Sequence, residues 1–220
     1  MYFDGAYREE TQLADGTRVR LRLVVPADKT QLASAFQRLS PEARYLRFFA
    51  SKETLTPGEL VYLTEMDQAQ HFALGAAALN EAGEEGEGLG IARFVRLADR
   101  PETAESAVVV ADRVKGRGLG RLLLQRLVAA AVERGVERFR CEVLAGNDAM
   151  RGLLGQLAPE ADLKAEGEVV VLEWDLPLVP HDQAAGDAPR ENGLYRLLQL
   201  AAEGAVVVRQ WLFGGEPPPQ

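Results

Sequence analysis

A run of glycines and basic residues between a valine-rich strand and a leucine-rich helix is the part of this sequence best suited to chemistry. Residues 108–124 read VVVADRVKGRGLGRLLL. Alternate glycines allow main-chain N–H groups to approach an anion without a Cβ in the way, and a helix start adds N–H donors and a partial positive charge. The pattern predicts a phosphate site, with a solvated basic helix start as the alternative. It is built from Gly116, Gly118 and Gly120 together with Arg113, Lys115, Arg117 and Arg121.

Two common phosphate-binding motifs do not fit this segment. A P-loop needs Gly-Lys followed by Ser or Thr, whereas Gly120 is followed by Arg121 and Leu122. A dinucleotide-binding fingerprint that starts at Gly116 would need its third glycine at position 121, and it usually follows the first strand of its unit. The sequence therefore argues against both motifs.

The elements around this segment alternate between strand and helix patterns. The polar and apolar residues of 17–24 alternate as in a half-buried strand, and Ser40-Pro41 and Thr56-Pro57 are typical helix starts. We expect an α/β or α+β fold with a mixed sheet. Strands are predicted at 17–24, 71–80, 88–96, 104–111, 136–144, 161–164 and 168–176, and helices after Asp28, Ser40, Thr56, Gly118 and Asn147.

The length of 220 residues suits one domain with an appendage. We expect an N-terminal lead-in segment at 1–16, a domain at 17–178, and a linker with a C-terminal extension at 179–220. The composition changes near Pro180, and the extension carries the apolar run Trp211-Leu212-Phe213. That run is expected to dock onto the domain or to form a homodimer contact.

Charge and composition exclude several classes of function. The 33 acidic and 25 basic side chains give a formal net charge of −8, which argues against general nucleic-acid binding. With Cys141 as its one cysteine and with His71 and His181 far apart, the chain is expected to have neither a disulfide nor a His/Cys metal cluster. Because neither a signal peptide nor a membrane span is visible, we expect a cytoplasmic protein with no membrane partner.

The segment Lys115-Gly-Arg-Gly-Leu-Gly120 after a valine-rich strand resembles the acetyl-CoA pyrophosphate loop of the GNAT superfamily of acyl-CoA-dependent N-acyltransferases. The resemblance covers about residues 17–176. Residues 39–49, and Ile91-Ala-Arg-Phe-Val-Arg96 followed by Ala104-Glu105, are similar to the branch that contains bacterial protein lysine acetyltransferases. The resemblance implies a GNAT-like mixed, mostly antiparallel sheet flanked by helices, with acetyl-CoA as cosubstrate.

The resemblance also implies roles for individual residues. Main-chain amides from Lys115 to Arg121, including that of Leu119, would hold the pyrophosphate. The strand carrying Val108 and Val110 would splay from its neighbour and pair with the pantetheine arm, and an amide near Val110 would stabilise the oxyanion. Asn147 would contact the cofactor.

Glu105 matches the general base of the lysine-acetylating branch, and its alternative reading is a surface acid at a strand start. The implied reaction is acetyl transfer to a primary amine by direct attack in a ternary complex. The acceptor would be a protein lysine or a small-molecule amine. A non-catalytic acyl-CoA-binding module that regulates or senses is the third possibility.

Overall fold

A single mixed sheet with helices on both faces is the core of this computed structural model. The structure describes residues 3–48, 52–144, 162–167 and 169–176. Within these ranges eight strands form one sheet in the order β1-β2-β3-β4-β5-β6-β8-β7. The strands are β1 Arg8–Gln12, β2 Arg18–Leu23, β3 His71–Leu79, β4 Glu85–Arg96, β5 Thr103–Val110, β6 Arg138–Leu144, β7 Asp162–Glu166 and β8 Val169–Asp175. The helices are α1 Lys29–Arg38, α2 Pro41–Phe48, α3 Pro57–Thr64 and α4 Leu119–Glu133.

Neighbouring strands in the sheet are antiparallel except β5 and β6, which are parallel. The expected mixed, mostly antiparallel sheet is therefore confirmed. The helix start expected at Thr56-Pro57 is also present and has a capping box: the Thr56 hydroxyl accepts from the Glu59 amide, and the Glu59 carboxylate accepts from the Thr56 amide. In the part of the chain that the structure describes, no helix has the length and apolar character needed to cross a membrane.

The N-terminal segment differs from the loose lead-in that the sequence predicted. Arg8–Gln12 form the edge strand β1, which pairs antiparallel with β2. The expectation was wrong because the strand itself is polar, while the apolar anchors lie outside it: Phe3, Tyr7 and Leu13 are all buried in the core. The extra strand makes the strand of Glu105 the fifth in the sheet.

The two faces of β5 meet different helices. Ala104, Val108 and Val110 belong to the main core together with residues of α4, including Leu119 and Leu123. Val109 instead packs against a smaller cluster formed by Phe36, Leu39 and Ala43 of the α1–α2 region. Because side chains alternate along a strand, Glu105 lies on the same face as Val109, opposite to α4.

The parallel pair β5–β6 is short. It pairs Thr103 with Arg138, Ala104 with Phe139 and Glu105 with Arg140. Within the described residues, β5 and β6 form no further pair after Glu105 and Arg140, although β5 continues to Val110 and β6 to Leu144. A gap between the two strands therefore begins directly after Glu105.

Candidate active site

The glycine turn before α4 has the backbone conformation that the sequence pattern required. Gly116 and Gly118 have φ values of +71° and +90°, in the left-handed region where residues with a Cβ are strained. The amides of Leu119 and Gly120 lie in the first turn of α4, where no earlier helical carbonyl is available to them. The amides of Lys115 and Arg117 donate to Asp112 O and Val114 O, each at 3.2 Å. The donors best placed for an anion are therefore those at the helix start.

Carboxylates lie against the basic side chains of Arg113, Lys115 and Arg117 in this turn. Lys115 Nζ lies 2.6 Å from Asp112 Oδ1, Arg117 Nη1 lies 3.1 Å from Asp15 Oδ2, and Arg113 Nη2 lies 2.6 Å from Glu87 Oε2. Partial burial acts to raise the pKa of Asp112, but hydrogen bonds from Lys115 and the Ser40 amide outweigh it and lower that pKa. These cations are therefore already engaged by carboxylates, with which any phosphate bound at the turn would have to compete.

The register of β5 decides which of its amides face the gap. Ala111 N donates to Leu89 O at 2.7 Å, so odd-numbered residues of β5 exchange hydrogen bonds with β4. Even-numbered residues direct their N–H and C=O groups to the other side, as Glu102 O shows by accepting from Arg138 N. The amides of Val108 and Val110 consequently point toward β6, in the region where pairing with β6 has ended.

Glu105 is buried at the closed end of this gap. The residue is 2% exposed, and its Oε1 accepts a hydrogen bond from Arg140 Nη1 at 2.8 Å. Arg140 also contacts Glu142 at 3.2 Å and Glu173 at 3.6 Å, and Arg100 binds both carboxylate oxygens of Glu173. The alternative reading of Glu105 as a surface acid does not fit this burial.

A second buried charge lies on the same face of the sheet. Arg93 is 1% exposed and is paired in register with Ala107, two residues beyond Glu105. Its guanidinium contacts His71 Nε2 and lies 5.2 Å from the centre of the Tyr62 ring. Burial, reinforced by the positive charge of Arg93, lowers the pKa of His71 to about 3. His71 is therefore a neutral hydrogen-bond acceptor at ordinary pH.

Sequence reasoning identified Glu105 but missed the arginines around it. Arg140 lies between Phe139 and Cys141, both fully buried, so strand alternation places it on the opposite, Glu105-bearing face. Cys141 is a core residue, and burial raises the pKa of its thiol. Asn147 and Trp211 lie outside the described residues, so their predicted roles stay predictions.

A comparison with known protein families shows which family the chain belongs to. The model of the acetyltransferase (GNAT) family matches residues 37–157. The chain belongs to the GNAT family. This match spans α2, β5, the glycine turn, α4 and β6, which border or form the site, and it begins within the last two residues of α1. Members of the family use acetyl-CoA as the cosubstrate.

Three relatives narrow the comparison. Acetyltransferase Pat of Mycolicibacterium smegmatis is 34% identical over 168 residues, which are 76% of this GNAT chain and 49% of the relative. The crystal structure of the GNAT domain of S. lividans PAT has a TM-score of 0.66 at 30% identity and covers 80% of this chain and 100% of that one. A point mutant of the cAMP-binding acyltransferase from Mycobacterium smegmatis has a TM-score of 0.51 at 31% identity, with coverages of 90% and 54%. The chain thus spans about half the length of the curated relative, and it is close to Pat-type acetyltransferases.

Proposed function

We propose that this GNAT chain transfers the acetyl group of acetyl-CoA to the side-chain amine of a protein lysine, by direct attack within a ternary complex. One observation carries the proposal: the gap between β5 and β6 has the amides of Val108 and Val110 along one wall and the buried carboxylate of Glu105 at its closed end. The reaction needs a thioester and a proton acceptor that are reached from the same space, and the gap offers a place for both.

The acyl donor is proposed to lie along this gap. The amides at the start of α4 suit the diphosphate, because their direction and the helix dipole both favour an anion. The outward amides of Val108 and Val110 suit the pantetheine arm, since they offer the hydrogen bonds that β6 would otherwise make. Asn147 is proposed as a further contact to the cofactor.

The residues of this chain supply proton transfer and charge stabilisation. Glu105 accepts a proton from the incoming amine, and the nitrogen then forms a bond to the thioester carbon. A strand rises about 3.3 Å per residue, so Glu105 and Val110 are about 16 Å apart along β5, and the proton passes to Glu105 through a chain of water molecules. An amide near Val110 stabilises the oxyanion. The C–S bond then breaks, and the thiolate leaves and takes up the proton that nitrogen loses.

A cationic acceptor is supported by the charges at the closed end of the gap. The hydrogen-bonded network around Glu105 joins three carboxylates, of Glu105, Glu142 and Glu173, to two guanidiniums, of Arg140 and Arg100. The carboxylates of this network exceed its guanidiniums by one, which the buried Arg93 on the same face offsets, so attraction of an ammonium group rests on the Glu105 carboxylate at the closed end itself. The similarity to Pat-type acetyltransferases supports a protein lysine as the carrier of that ammonium.

The variant Glu105→Gln tests the base. We expect the rate of lysine-peptide acetylation, followed by thiol release, to fall by roughly 100-fold or more because general-base catalysis contributes that much. The acetyl-CoA affinity, measured by calorimetry, should stay within about twofold. Glu173→Gln is the matched control, since it removes a carboxylate of the same network on a strand that does not border the gap.

If the acetylation rate falls equally in Glu105→Gln and Glu173→Gln, Glu105 is not the general base. Turnover of polyamines with none of lysine peptides would favour a small-molecule acceptor. Tight acetyl-CoA binding with no turnover of any amine would favour a non-catalytic acyl-CoA-binding module.

A further inference from the structure

A largely apolar cavity of about 100 Å³ lies between α1 and the sheet. Its walls include Val109, Val110 and Ala111, the last residues of β5 and the first residue after it. These are the residues beside which the thioester carbonyl is proposed to bind. The cavity therefore reaches the end of β5, the strand along which the donor is proposed to bind, on the face that α1 covers.

The cavity exists because small residues line the facing surfaces of α1 and the sheet. Gly75 and Ala77 of β3 and Gly88 of β4 lie on the sheet side, and Ala35 lies on the α1 side. A Cβ added at Gly88 would approach the Cβ of Ala35 to 3.7 Å, so larger side chains at these positions would occupy the space. The remaining wall is mostly aliphatic and aromatic, with Leu32, Phe36 and Leu39 from the α1 region.

The charged groups at the cavity do not suit an amine. Its buried cation is Arg93, and Asp28 at another edge is already bound by two guanidinium nitrogens of Arg22, each at 2.7 Å. An ammonium group would therefore meet a guanidinium without gaining a carboxylate. An uncharged hydrocarbon chain matches the lining, because it buries apolar surface and needs no hydrogen bond.

We propose that this cavity binds the acyl chain of the donor and admits acyl groups longer than acetyl. Apolar cavities of about 150 Å³ take up benzene, so this one has room for a chain of about three or four carbon atoms. The occupant is a straight, uncharged acyl group such as propionyl or butyryl. This inference rests on the proposed function, because it places the thioester at the end of β5.

The test measures how the wild-type chain and two variants discriminate between acetyl-, propionyl- and butyryl-CoA with one acceptor peptide. Wild type should use propionyl-CoA with a kcat/KM within about tenfold of that for acetyl-CoA. Ala35→Leu fills the cavity, so it should lower the butyryl-to-acetyl ratio of kcat/KM by about tenfold or more. Ala33→Leu is the matched control, because it adds the same side chain to the same helix at a position that does not line the cavity, and it should leave the ratio unchanged.

Calorimetric affinities for the same three thioesters separate the two proposals. If no acyl-CoA is turned over, the proposed reaction is refuted. The cavity assignment is still tested, by the ratio of the butyryl-CoA affinity to the acetyl-CoA affinity in Ala35→Leu. Rejection of propionyl-CoA by more than about 100-fold in wild type would overturn the inference. An equal change of the ratio in Ala33→Leu and Ala35→Leu would also overturn it, since the effect would then come from α1 as a whole.

Discussion

At the scale of single residues, the unusual feature is a general-base candidate that is tied to a guanidinium. A buried carboxylate needs compensation, and Arg140 provides it for Glu105 while also contacting Glu142 and Glu173. The side chains of Arg140 and Glu105 are 12% and 3% exposed, so solvent screens this pair weakly. Arg140 is therefore a positioning residue that fixes where the Glu105 carboxylate points.

Replacing Arg140 should destabilise the fold far more than replacing its neighbour. Arg140→Met removes a guanidinium from three carboxylates, and breaking a buried pair in this way costs about 3–5 kcal/mol. Arg138→Met is the control on the same strand, because its pair with Asp175 is exposed on both sides, and it should cost less than about 1 kcal/mol. Urea denaturation at pH 7 measures both losses. Similar losses in the two variants would show that the Arg140 network contributes no more than a surface ion pair.

At the scale of elements, the strand–turn–helix unit was predictable and the partners of its side chains were not. The valines of 108–110, the glycines and the leucine periodicity of α4 are local signals, and they led to β5, the turn and α4 within a few residues. The salt bridge from Arg117 to Asp15 and the burial of Glu105 beside Arg140 depend on contacts distant in sequence and on burial by the whole sheet. Periodicity carries no information about such contacts.

The glycine turn gives a prediction with a matched control at the other end of the same helix. Gly118→Ala and Gly135→Ala both place a Cβ at a positive φ, +90° and +74°, in open space, so each should cost about 1–2 kcal/mol of stability. Only Gly118→Ala should weaken acetyl-CoA binding, by about tenfold or more, because the strain is relieved by moving the amides that we propose as donors to the diphosphate. Calorimetry measures the affinities and thermal melting the stabilities. Equal affinities in both variants would place the diphosphate elsewhere.

At the scale of the whole molecule, the sheet joins residues that no local pattern connects. The polar strand β1 was missed because its anchors, Phe3 and Tyr7, lie outside the strand, and it is tied to α4 where Arg126 donates to both carboxylate oxygens of Glu9 at 2.7 Å. The row across the sheet that contains His71, Val95, Glu105, Arg140 and Glu173 likewise follows from strand order. The fold class followed from the element order, whereas the polar face of the sheet required the three-dimensional register.

That polar face should make the stability of the molecule depend on pH above the range in which carboxylates titrate. The pKa of His71 is lowered to about 3 by burial and by Arg93, although Asp67 opposes the shift, whereas an unfolded histidine has a pKa of about 6.5. The unfolded state therefore binds the proton first, and stability falls as pH drops below about 6.5, with a loss of about 2 kcal/mol between pH 7 and pH 5 from this residue. His71→Gln keeps an acceptor for Arg93 but does not titrate, so its free energy of unfolding should decline by about 2 kcal/mol less over the same interval. Urea titrations at the two pH values measure the difference. Parallel declines in both proteins would mean that His71 takes up its proton over the same pH range in the folded and unfolded states, and that its ring does not accept a hydrogen bond from Arg93.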